Sequence, residues 1–382
     1  MRQESTPPAL TPAALLVRLA AIGLVLLIVA AGFAYTGGWL APDRLTPGRF
    51  ADEFQQVNGV YPGFRRNHAK GLCLIGVFDS NSRGAHLSRA VVFGPGRVAV
   101  IGRFALAGGR PFITDTPQNV RSMALRFTLP DGEEWRMGMN DIPVFPVGTP
   151  AAFYEQLVAS RPDPATGKPD PAKMKEFLDR HPETVRALAA IHAAPMSSGF
   201  DNATYNSLDA FRFVDAAGHS TPVRWSMASA QPFVPAPVAA DAGQPDAGQS
   251  DAGQSDAGRA DKNYLFDHLM AALRRQPLQW HLILTLGQPG DPTDDATVAW
   301  PADREQVDVG TLTVNRLVGE AEGVCRDVNF DPLVLPDGIK ASDDPLLAAR
   351  SAVYSSSFTR RAGEAKTPSA VQTPALGVPA GS

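Results

Sequence analysis

Arg65 and the tetrapeptide His68-Ala69-Lys70-Gly71 place basic side chains and an imidazole directly before an apolar run, Leu72 to Phe78. The run has the length and composition of a buried strand, and the turn-like Tyr61-Pro62-Gly63 precedes the motif. An imidazole held at a strand end can accept a proton and return it, because its pKa lies near working pH. A lone histidine at a strand edge is usually structural, so the motif gains weight only from matching motifs later in the chain.

A second group of candidate residues lies towards the C-terminal end, where Arg350 precedes Tyr354 by one helical turn and Arg361 follows. A free phenol loses its proton near pH ~10, so a tyrosinate at neutral pH needs a neighbouring positive charge. Arg350 would lie on the same helix face as Tyr354 and can donate to the phenolate. Alone, Tyr354 would be a surface residue of a helix end.

Between these two groups, period-2 alternation of apolar and polar residues predicts antiparallel strands. Residues 122–129 alternate, Pro130-Asp131-Gly132 turns the chain, and the return strand from Trp135 leads to Asn140 and Phe145. Further strand-like runs are Arg97 to Phe104, Ala210 to Val214, Val223 to Met227, Trp280 to Leu286 and Val307 to Leu317; helical runs are Ala151 to Val158, Pro171 to Ile191 and Lys262 to Arg275. Because there is no βαβ rhythm, we expect a sheet that closes into a barrel.

Taken together, these motifs resemble those of haem catalases, over roughly Phe50 to Arg361. The matching pieces, in chain order, are Arg65-x-x-His68-Ala-Lys-Gly, then Gly102-Arg103-Phe104, the hairpin from Arg121 through Asn140 to Pro143-x-Phe145, Tyr205-Asn-Ser with Phe211-Arg-Phe-Val, and Arg350-x-x-x-Tyr354 with Arg361. The chain ends 28 residues after Tyr354, which is similar to the small catalase-related peroxidases. The resemblance implies an α+β, mainly β fold: a closed antiparallel barrel with peripheral helices, lacking the C-terminal helical domain of full catalases.

The resemblance implies a haem cofactor, haem b, and gives the motifs their places around it. Tyr354 would be the proximal ligand of the iron, as in haem proteins with a tyrosine ligand, and Arg350 would stabilise its phenolate. His68 would take a proton from an incoming peroxide and deliver it to the leaving oxygen. Asn140 would orient the peroxide through a hydrogen bond, although an asparagine at a strand end is usually a turn residue.

Three arginines, Arg65, Arg103 and Arg361, are candidates for pairing with the two haem propionates. Buried propionates need charge-assisted partners, whereas a lone arginine is usually a solvated surface charge. Phe145 would pack near the haem face, and an ordinary core aromatic would show the same burial.

The chain departs from the catalase pattern in ways that bear on activity. Ala105 stands where catalases commonly carry a serine that braces the distal imidazole, so we expect His68 to be held less firmly. Residues 355–357 are Ser-Ser-Ser where the usual sequence is Pro-Asp-Thr. Without the helical domain there are no grounds to expect bound NADPH, and the route to the haem would be more open.

Composition excludes some function classes. A charged fraction of 19% and a net charge of −4 do not give the clustered basic surface of a nucleic-acid-binding protein. The seven histidines are scattered without metal-ligand spacing. The cysteines, Cys73 and Cys325, can pair only with each other, and the apolar surroundings of Cys73 favour a free buried thiol.

The N-terminal region contains an uncharged apolar stretch, Leu19 to Trp39. At ~1.5 Å per residue it spans roughly 30 Å, the hydrocarbon thickness of a bilayer. Positive charges before the stretch favour a cytoplasmic N-terminus and a single-pass inner-membrane protein with its body in the periplasm. The alternative is a signal peptide cleaved near Ala31-Gly32-Phe33-Ala34, which would leave a soluble periplasmic protein.

These observations predict a cytoplasmic N-terminus over residues 1–18, a transmembrane anchor over 19–39 and a haem-binding domain over 45–361. Residues 239–260 repeat Asp-Ala-Gly units that cannot bury enough apolar area to offset their chain entropy, so we expect a flexible insertion. The Pro/Ala/Gly-rich segment 362–382 is expected to be a disordered tail.

The function that the resemblance implies is a haem-dependent peroxidase. Hydrogen peroxide or an organic hydroperoxide would be reduced with electrons from a small organic donor, with little catalase activity. Isomerisation of lipid hydroperoxides is one alternative, and a non-catalytic haem-binding or sensor protein is another. The partners expected are the peroxide, the reductant and the inner membrane, with no nucleic acid and a homodimer as a candidate assembly.

Overall fold

The computed structural model describes residues 11–37, 39–40, 44–237, 262–321, 323, 325–366 and 369–373. The chain divides into two units, an N-terminal unit up to Arg49 and a body from Phe50 onwards. The predicted flexible insertion, 239–260, lies outside the described residues and stays a prediction.

The N-terminal unit contains helix α1, Pro12–Thr36. The Thr11 side chain caps its first turn, and Pro12 occupies a position where a helix needs no backbone N–H donor. No side chain of α1 is buried, and its mean hydropathy of 2.7 makes it long and apolar enough to cross a membrane. The helix begins seven residues before the predicted 19–39 span and includes Arg18. By length and composition it fits an anchor or a signal sequence.

The body is built on an antiparallel barrel, as predicted. Its strands are β1 (Gly71–Ser80), β2 (Arg97–Leu106), β3 (Arg121–Thr128), β4 (Glu134–Asn140), β5 (Tyr205–Asn206), β6 (Phe211–Val214), β7 (Ser220–Ser229), β8 (Leu278–Leu286), β9 (Gln306–Val318) and β10 (Ile339–Ala341). Pairing runs β7-β5-β4-β3-β2-β1-β9-β8, and β8 pairs again with β7, which closes a ring of eight strands. Strands β6 and β10 extend the sheet beside β7.

The period-2 pattern of the β3–β4 hairpin decides which side chains fill the barrel. Met123, Leu125 and Phe127 on β3 point inwards with Trp135 and Met137 on β4, and all are essentially inaccessible to solvent. Their neighbours along each strand therefore face outwards. The outward face of β2, β3 and β4 forms one wall of a large cavity.

Helices surround the barrel: α2 (Pro47–Asn58), α3 (Pro150–Ala159), α4 (Pro171–Arg180), α5 (Pro182–Ala193), α6 (Tyr264–Arg275) and α7 (Pro345–Ala362). The single helix predicted from Pro171 to Ile191 is wrong, because Pro182 disfavours a helical conformation at His181, whose φ/ψ of −123°/69° ends α4. Helix α2 was not predicted, although Phe50, Phe54 and Val57 follow helical spacing and are buried.

Two further predictions are corrected by the packing. The expected free thiol of Cys73 is wrong: Cys73 forms a disulfide with Cys325, with 5.5 Å between their Cα atoms. Strand β9 ends beside Cys73, which pairs with Val318, and the following turn brings Cys325 back over it. The disordered tail is wrong for residues 369–373, because Val371 is fully buried and the Thr373 hydroxyl accepts a hydrogen bond from Gly319 N.

Lys70 lies directly before strand β1 and holds the start of this strand in place. Its ammonium donates to Asp115 Oδ1 (2.7 Å), Ile113 O (2.7 Å) and Lys262 O (2.8 Å), which satisfies all three of its N–H groups. Asp115 Oδ2 accepts from Leu265 N at the start of α6, so the ion pair also ties this helix to the barrel. Both side chains are inaccessible to solvent.

We predict that Lys70→Met lowers the free energy of unfolding by about 3–5 kcal/mol, since it leaves the buried Asp115 carboxylate without its cation. Chemical denaturation followed by fluorescence measures the loss. The double variant Lys70→Met/Asp115→Asn should recover part of it, because it removes the unpaired charge. A double variant no more stable than Lys70→Met would show that lost packing, and not the buried charge, destabilises the protein.

Candidate active site

A cavity lies between the outer face of β2, β3 and β4 and helix α7. Strand register sets its barrel wall, because Ala105 pairs with Ser122 and Ser122 with Asn140, while Arg103 pairs with Ala124 and Ala124 with Gly138. The two rows lie on the outward face and line the cavity. Of the predicted site residues, all eight line this one cavity: Arg65, His68, Arg103, Asn140, Phe145, Arg350, Tyr354 and Arg361.

His68 is held at the cavity edge in an unusual backbone conformation. Its φ of 55° lies in the left-handed region, which costs free energy for a residue with a side chain. Asn67 stabilises it, since its Oδ1 accepts from His68 N (2.9 Å) and from Gly108 N (2.8 Å). A backbone bond from Ala69 N to Gly108 O (2.8 Å) completes the clamp. Three hydrogen bonds in its immediate surroundings thus hold His68 in this strained conformation.

Ser122 braces the distal imidazole, so the expectation that His68 lacks a hydroxyl partner is wrong. Ser122 Oγ lies 3.0 Å from His68 Nδ1 and also hydrogen-bonds Asn140 Oδ1. Ala105 pairs directly with Ser122 across β2 and β3, so the hydroxyl comes from the neighbouring strand at the same level of the wall. Ser122 was missed from the sequence because only the strand register reveals that it faces His68.

The hydrogen-bond inventory fixes the polarity of this group. The Ser122 hydroxyl has one proton, which it donates to Asn140 Oδ1, an acceptor only; it therefore accepts from His68 Nδ1–H. His68 Nε2 is left without a proton, and the Asn140 amide remains a donor. Burial, with the charges of Arg103, Arg350 and Arg65, lowers the pKa of His68 to about 3, so the imidazole is neutral.

Across the cavity, Tyr354 lies in the middle of α7, with the Arg350 guanidinium 5.9 Å from the centre of its ring. Burial alone would lower the pKa of Arg350, but the Asp209 carboxylate and a hydrogen bond to Tyr354 raise it. Arg350 forms an ion pair with Asp209 and donates to Gly138 O (3.3 Å). Asp209, which the sequence did not reveal as a site residue, follows Leu208, a residue with a φ of 66°.

Four arginines surround one end of the cavity, and two of them have acidic partners. Arg103 Nε lies 2.6 Å from Glu320 Oε1, and Arg66 pairs with Glu364. Burial would raise the pKa of Glu320, but Arg103 and then the other arginines hold it below its ordinary value, so the carboxylate is charged. Glu320 was missed from the sequence because it lies 217 positions from Arg103 along the chain.

Arg65 and Arg361 make no ion pair in the part of the chain that the structure describes. Their guanidiniums donate to backbone carbonyls, and the Nε of each is buried without a hydrogen-bond partner. Burial, with repulsion from the neighbouring arginines, lowers the pKa of both. Two cations with unused donors are therefore available to a ligand that carries two negative charges.

Another part of the cavity lining is aromatic. Phe145 contacts Phe153 of α3 at 5.7 Å between ring centres, and Phe153 contacts Phe50 and Phe54 of α2. All four rings line the cavity. Only Phe145 was predicted; Phe50 and Phe54 had the helical spacing of α2 as a signal, and Phe153 had none that would separate it from a core residue. The cavity lining thus combines a group of arginines with a cluster of aromatic rings.

Comparison with known proteins shows that the chain matches a known family. Residues 50–378 match the family model described as catalase. The chain is 36% identical to a "Catalase-related peroxidase" of Synechococcus elongatus, over 89% of this chain and 95% of that protein. It is 32% identical to another of that description from Mycolicibacterium paratuberculosis, over 84% of this chain and 96% of that one.

Solved structures agree on the fold. Catalase A from Saccharomyces cerevisiae superposes with a TM-score of 0.67 at 18% identity, and a bacterial catalase with 0.65 at 19%. The match covers 79% of this chain but only 62% and 58% of those chains, which are longer. At this identity the likeness shows the barrel with its surrounding helices and nothing finer.

The lowered pKa of His68 predicts a measurable pH dependence of the cofactor-free protein. An unfolded histidine has a pKa near ~6.5, so between pH ~6.5 and the folded value of about 3 only the unfolded chain binds the proton. Stability must therefore fall as pH falls through that window. His68→Asn, which suits a left-handed backbone and does not titrate, should lose about 1–2 kcal/mol less than the unchanged protein between pH ~7 and ~5. Equal losses, measured by denaturant titration at each pH, would show that His68 titrates normally.

Proposed function

The chain belongs to the catalase family, and we propose that it is a peroxidase that holds haem b in this cavity and reduces peroxides with electrons from an organic donor. The observation that carries the proposal is the arrangement of two groups across one cavity. His68, Ser122 and Asn140 form a hydrogen-bonded acid–base group on one side, and Tyr354 with Arg350 forms a potential metal ligand on the other.

The residues of the cavity fit a haem group. Tyr354 would ligate the iron. Arg350, which forms an ion pair with Asp209, would stabilise the phenolate form. The unpartnered Nε atoms of Arg65 and Arg361 fit the two propionates, whereas Arg103 already has Glu320. The aromatic end fits the apolar part of the ring. Bound haem would supply the iron centre that takes up the oxidising power of the peroxide.

The distal residues account for the proton movements of peroxide cleavage. His68 Nε2, which carries no proton, would accept one from one peroxide oxygen and return it to the other, the oxygen that leaves. The Asn140 amide donates to the peroxide and orients it. Ser122 holds both side chains through one hydroxyl, so that acceptor and donor keep a fixed separation. A positioned acid–base group of this kind contributes typically ~10²–10⁴-fold in rate.

Peroxidase turnover, with little oxygen release, remains our proposal for the balance of activities. The supposed loss of the serine brace no longer supports it, because Ser122 provides the hydroxyl. The support that remains is the similarity, at 36% and 32% identity, to proteins described as catalase-related peroxidases. Lipid hydroperoxide isomerisation and a non-catalytic sensor are not favoured, because these relatives are described as peroxidases.

We further propose that the body functions outside the cytoplasm, either anchored by α1 to the inner membrane or released after cleavage of this segment. The Cys73–Cys325 disulfide supports an oxidising compartment, because cytosolic thiols are kept reduced. The apolar, unburied α1 supports export.

The proximal assignment predicts that Tyr354→Phe loses most of its haem, or binds it with a changed absorption spectrum, because phenylalanine cannot ligate iron. Haem content per protein and the absorption spectrum are measured on the purified variant. Tyr205→Phe serves as the matched control, since the Tyr205 hydroxyl is buried and bonds Phe200 O inside the barrel. Tyr354→Phe with an unchanged spectrum would refute Tyr354 as the ligand.

The distal assignment predicts that His68→Asn keeps its haem but reacts with hydrogen peroxide ~10²–10⁴-fold more slowly, because the acid–base group is lost. Asn140→Ala and Ser122→Ala should cost less, since each removes orientation and leaves the imidazole. Stopped-flow mixing of haem-quantified protein with peroxide measures the rates. A loss below about tenfold for His68→Asn, on the same scale, would contradict its role.

A further inference from the structure

The Cys73–Cys325 disulfide joins a barrel strand to the loop that comes after β9. Both cysteines are fully buried, and they form a small apolar cluster with Val328 and Phe330. Phe330 lines the cavity, so the cluster lies directly behind the cationic end of the candidate active site. The disulfide is thus the covalent link between strand β1 and that end of the cavity.

The same loop holds both unpaired arginines through its backbone. Arg65 Nη2 donates to Cys325 O (3.1 Å), Arg326 O (3.3 Å) and Val328 O (2.9 Å), and Arg361 Nη1 donates to Arg326 O. The Arg65 guanidinium also lies 5.4 Å from the centre of the Phe330 ring. Carbonyls from a short stretch of backbone therefore fix the direction of two guanidiniums that come from distant parts of the chain.

Electrostatics oppose this arrangement when no anion is bound. Burial and the charges of Arg361 and Arg103 lower the pKa of Arg65, and burial and Arg103 do the same for Arg361; the Glu320 carboxylate offsets only part of this. Two like charges held out of water repel each other, so they stay in place only if the carbonyls that hold them cannot move away. Arg136 Nη1 ties the far end of the loop through Asn329 O (2.7 Å), and the disulfide ties its beginning.

We propose that Cys73 and Cys325 are positioning residues for the propionate-binding arginines, so that the disulfide-bonded protein retains haem far more tightly than the reduced one. The proposal rests on the proposed function, in which Arg65 and Arg361 bind the propionates. Its consequence is that tight haem loading is coupled to formation of the disulfide. The body would then become a stable holoenzyme only in an oxidising compartment.

The test compares ferric haem with its dimethyl ester, which lacks the propionate charges. Affinities of both are measured by absorbance titration of the full-length apoprotein in detergent, for the unchanged chain and for Cys73→Ala/Cys325→Ala. We expect the double variant to bind haem at least tenfold more weakly, the loss that weakened charge-assisted bonds produce, and to bind the ester with unchanged affinity. Equal weakening for both ligands, or for neither, would overturn the proposal.

A variant pair separates this proposal from a general loss of stability. Arg65→Met should weaken haem binding in the disulfide-bonded chain and have a much smaller effect in the double cysteine variant, because the disulfide acts through Arg65. Additive effects would contradict the proposal. If the unchanged protein binds haem and ester equally, the propionate assignment of the proposed function is wrong. If it prefers haem and the cysteine variant keeps that preference, only the role of the disulfide is wrong.

A measurement on the unchanged chain covers the case in which the cysteine variant does not fold. Holoprotein is incubated with and without dithiothreitol, and transfer of haem to excess apomyoglobin is followed by absorbance. Free thiols are counted with a chromogenic reagent after unfolding, so that reduction is verified. Reduced protein should release haem at least tenfold faster while its far-ultraviolet circular dichroism is retained. Unchanged release from verified reduced protein would overturn the proposal.

Discussion

The pairing register of β2, β3 and β4 is the constraint on which the rest of the site depends. In antiparallel strands a shift by one residue turns every side chain to the other face. Here the inward rows are large and apolar, so the register is fixed by the core of the barrel. The outward rows then carry small residues and the polar side chains of Ser122 and Asn140. The residues that form the cavity wall are therefore set by the packing of the core.

The second constraint is positive charge. The cavity collects more arginines than carboxylates, and the excess has a chemical consequence on each side. On the distal side burial, and after it the charges of the arginines, lower the pKa of His68 and keep it neutral. On the proximal side Arg350 forms an ion pair with Asp209 and lies beside the ring of Tyr354, the proposed metal ligand. The arginines of the cavity thus act on both groups that the proposed function requires.

The glycine of the His-Ala-Lys-Gly motif lies where strand β1 contacts one of the cavity arginines. A Cβ atom at Gly71 would lie 2.4 Å from the Arg103 guanidinium carbon and 2.6 Å from Phe104 O. Only glycine lets Arg103 cross the start of β1, where it donates to Ala69 O next to His68 and pairs with Glu320. Lys70, one residue earlier, points to the opposite side and anchors α6. The motif therefore connects the residues of the cavity to the barrel and to helix α6.

The amino-acid sequence by itself determined the barrel, because alternation on strands such as β3 and β4 is a local property. The order of its motifs also predicted eight residues that line one cavity. Tertiary structure alone decided the partners. Ser122 replaces a hydroxyl absent at Ala105, Asp209 holds Arg350, Glu320 neutralises Arg103, and Cys325 closes on Cys73. Each of these pairs joins residues that are remote in sequence or lie on neighbouring strands. Such contacts arise from register and chain closure, which no local pattern encodes.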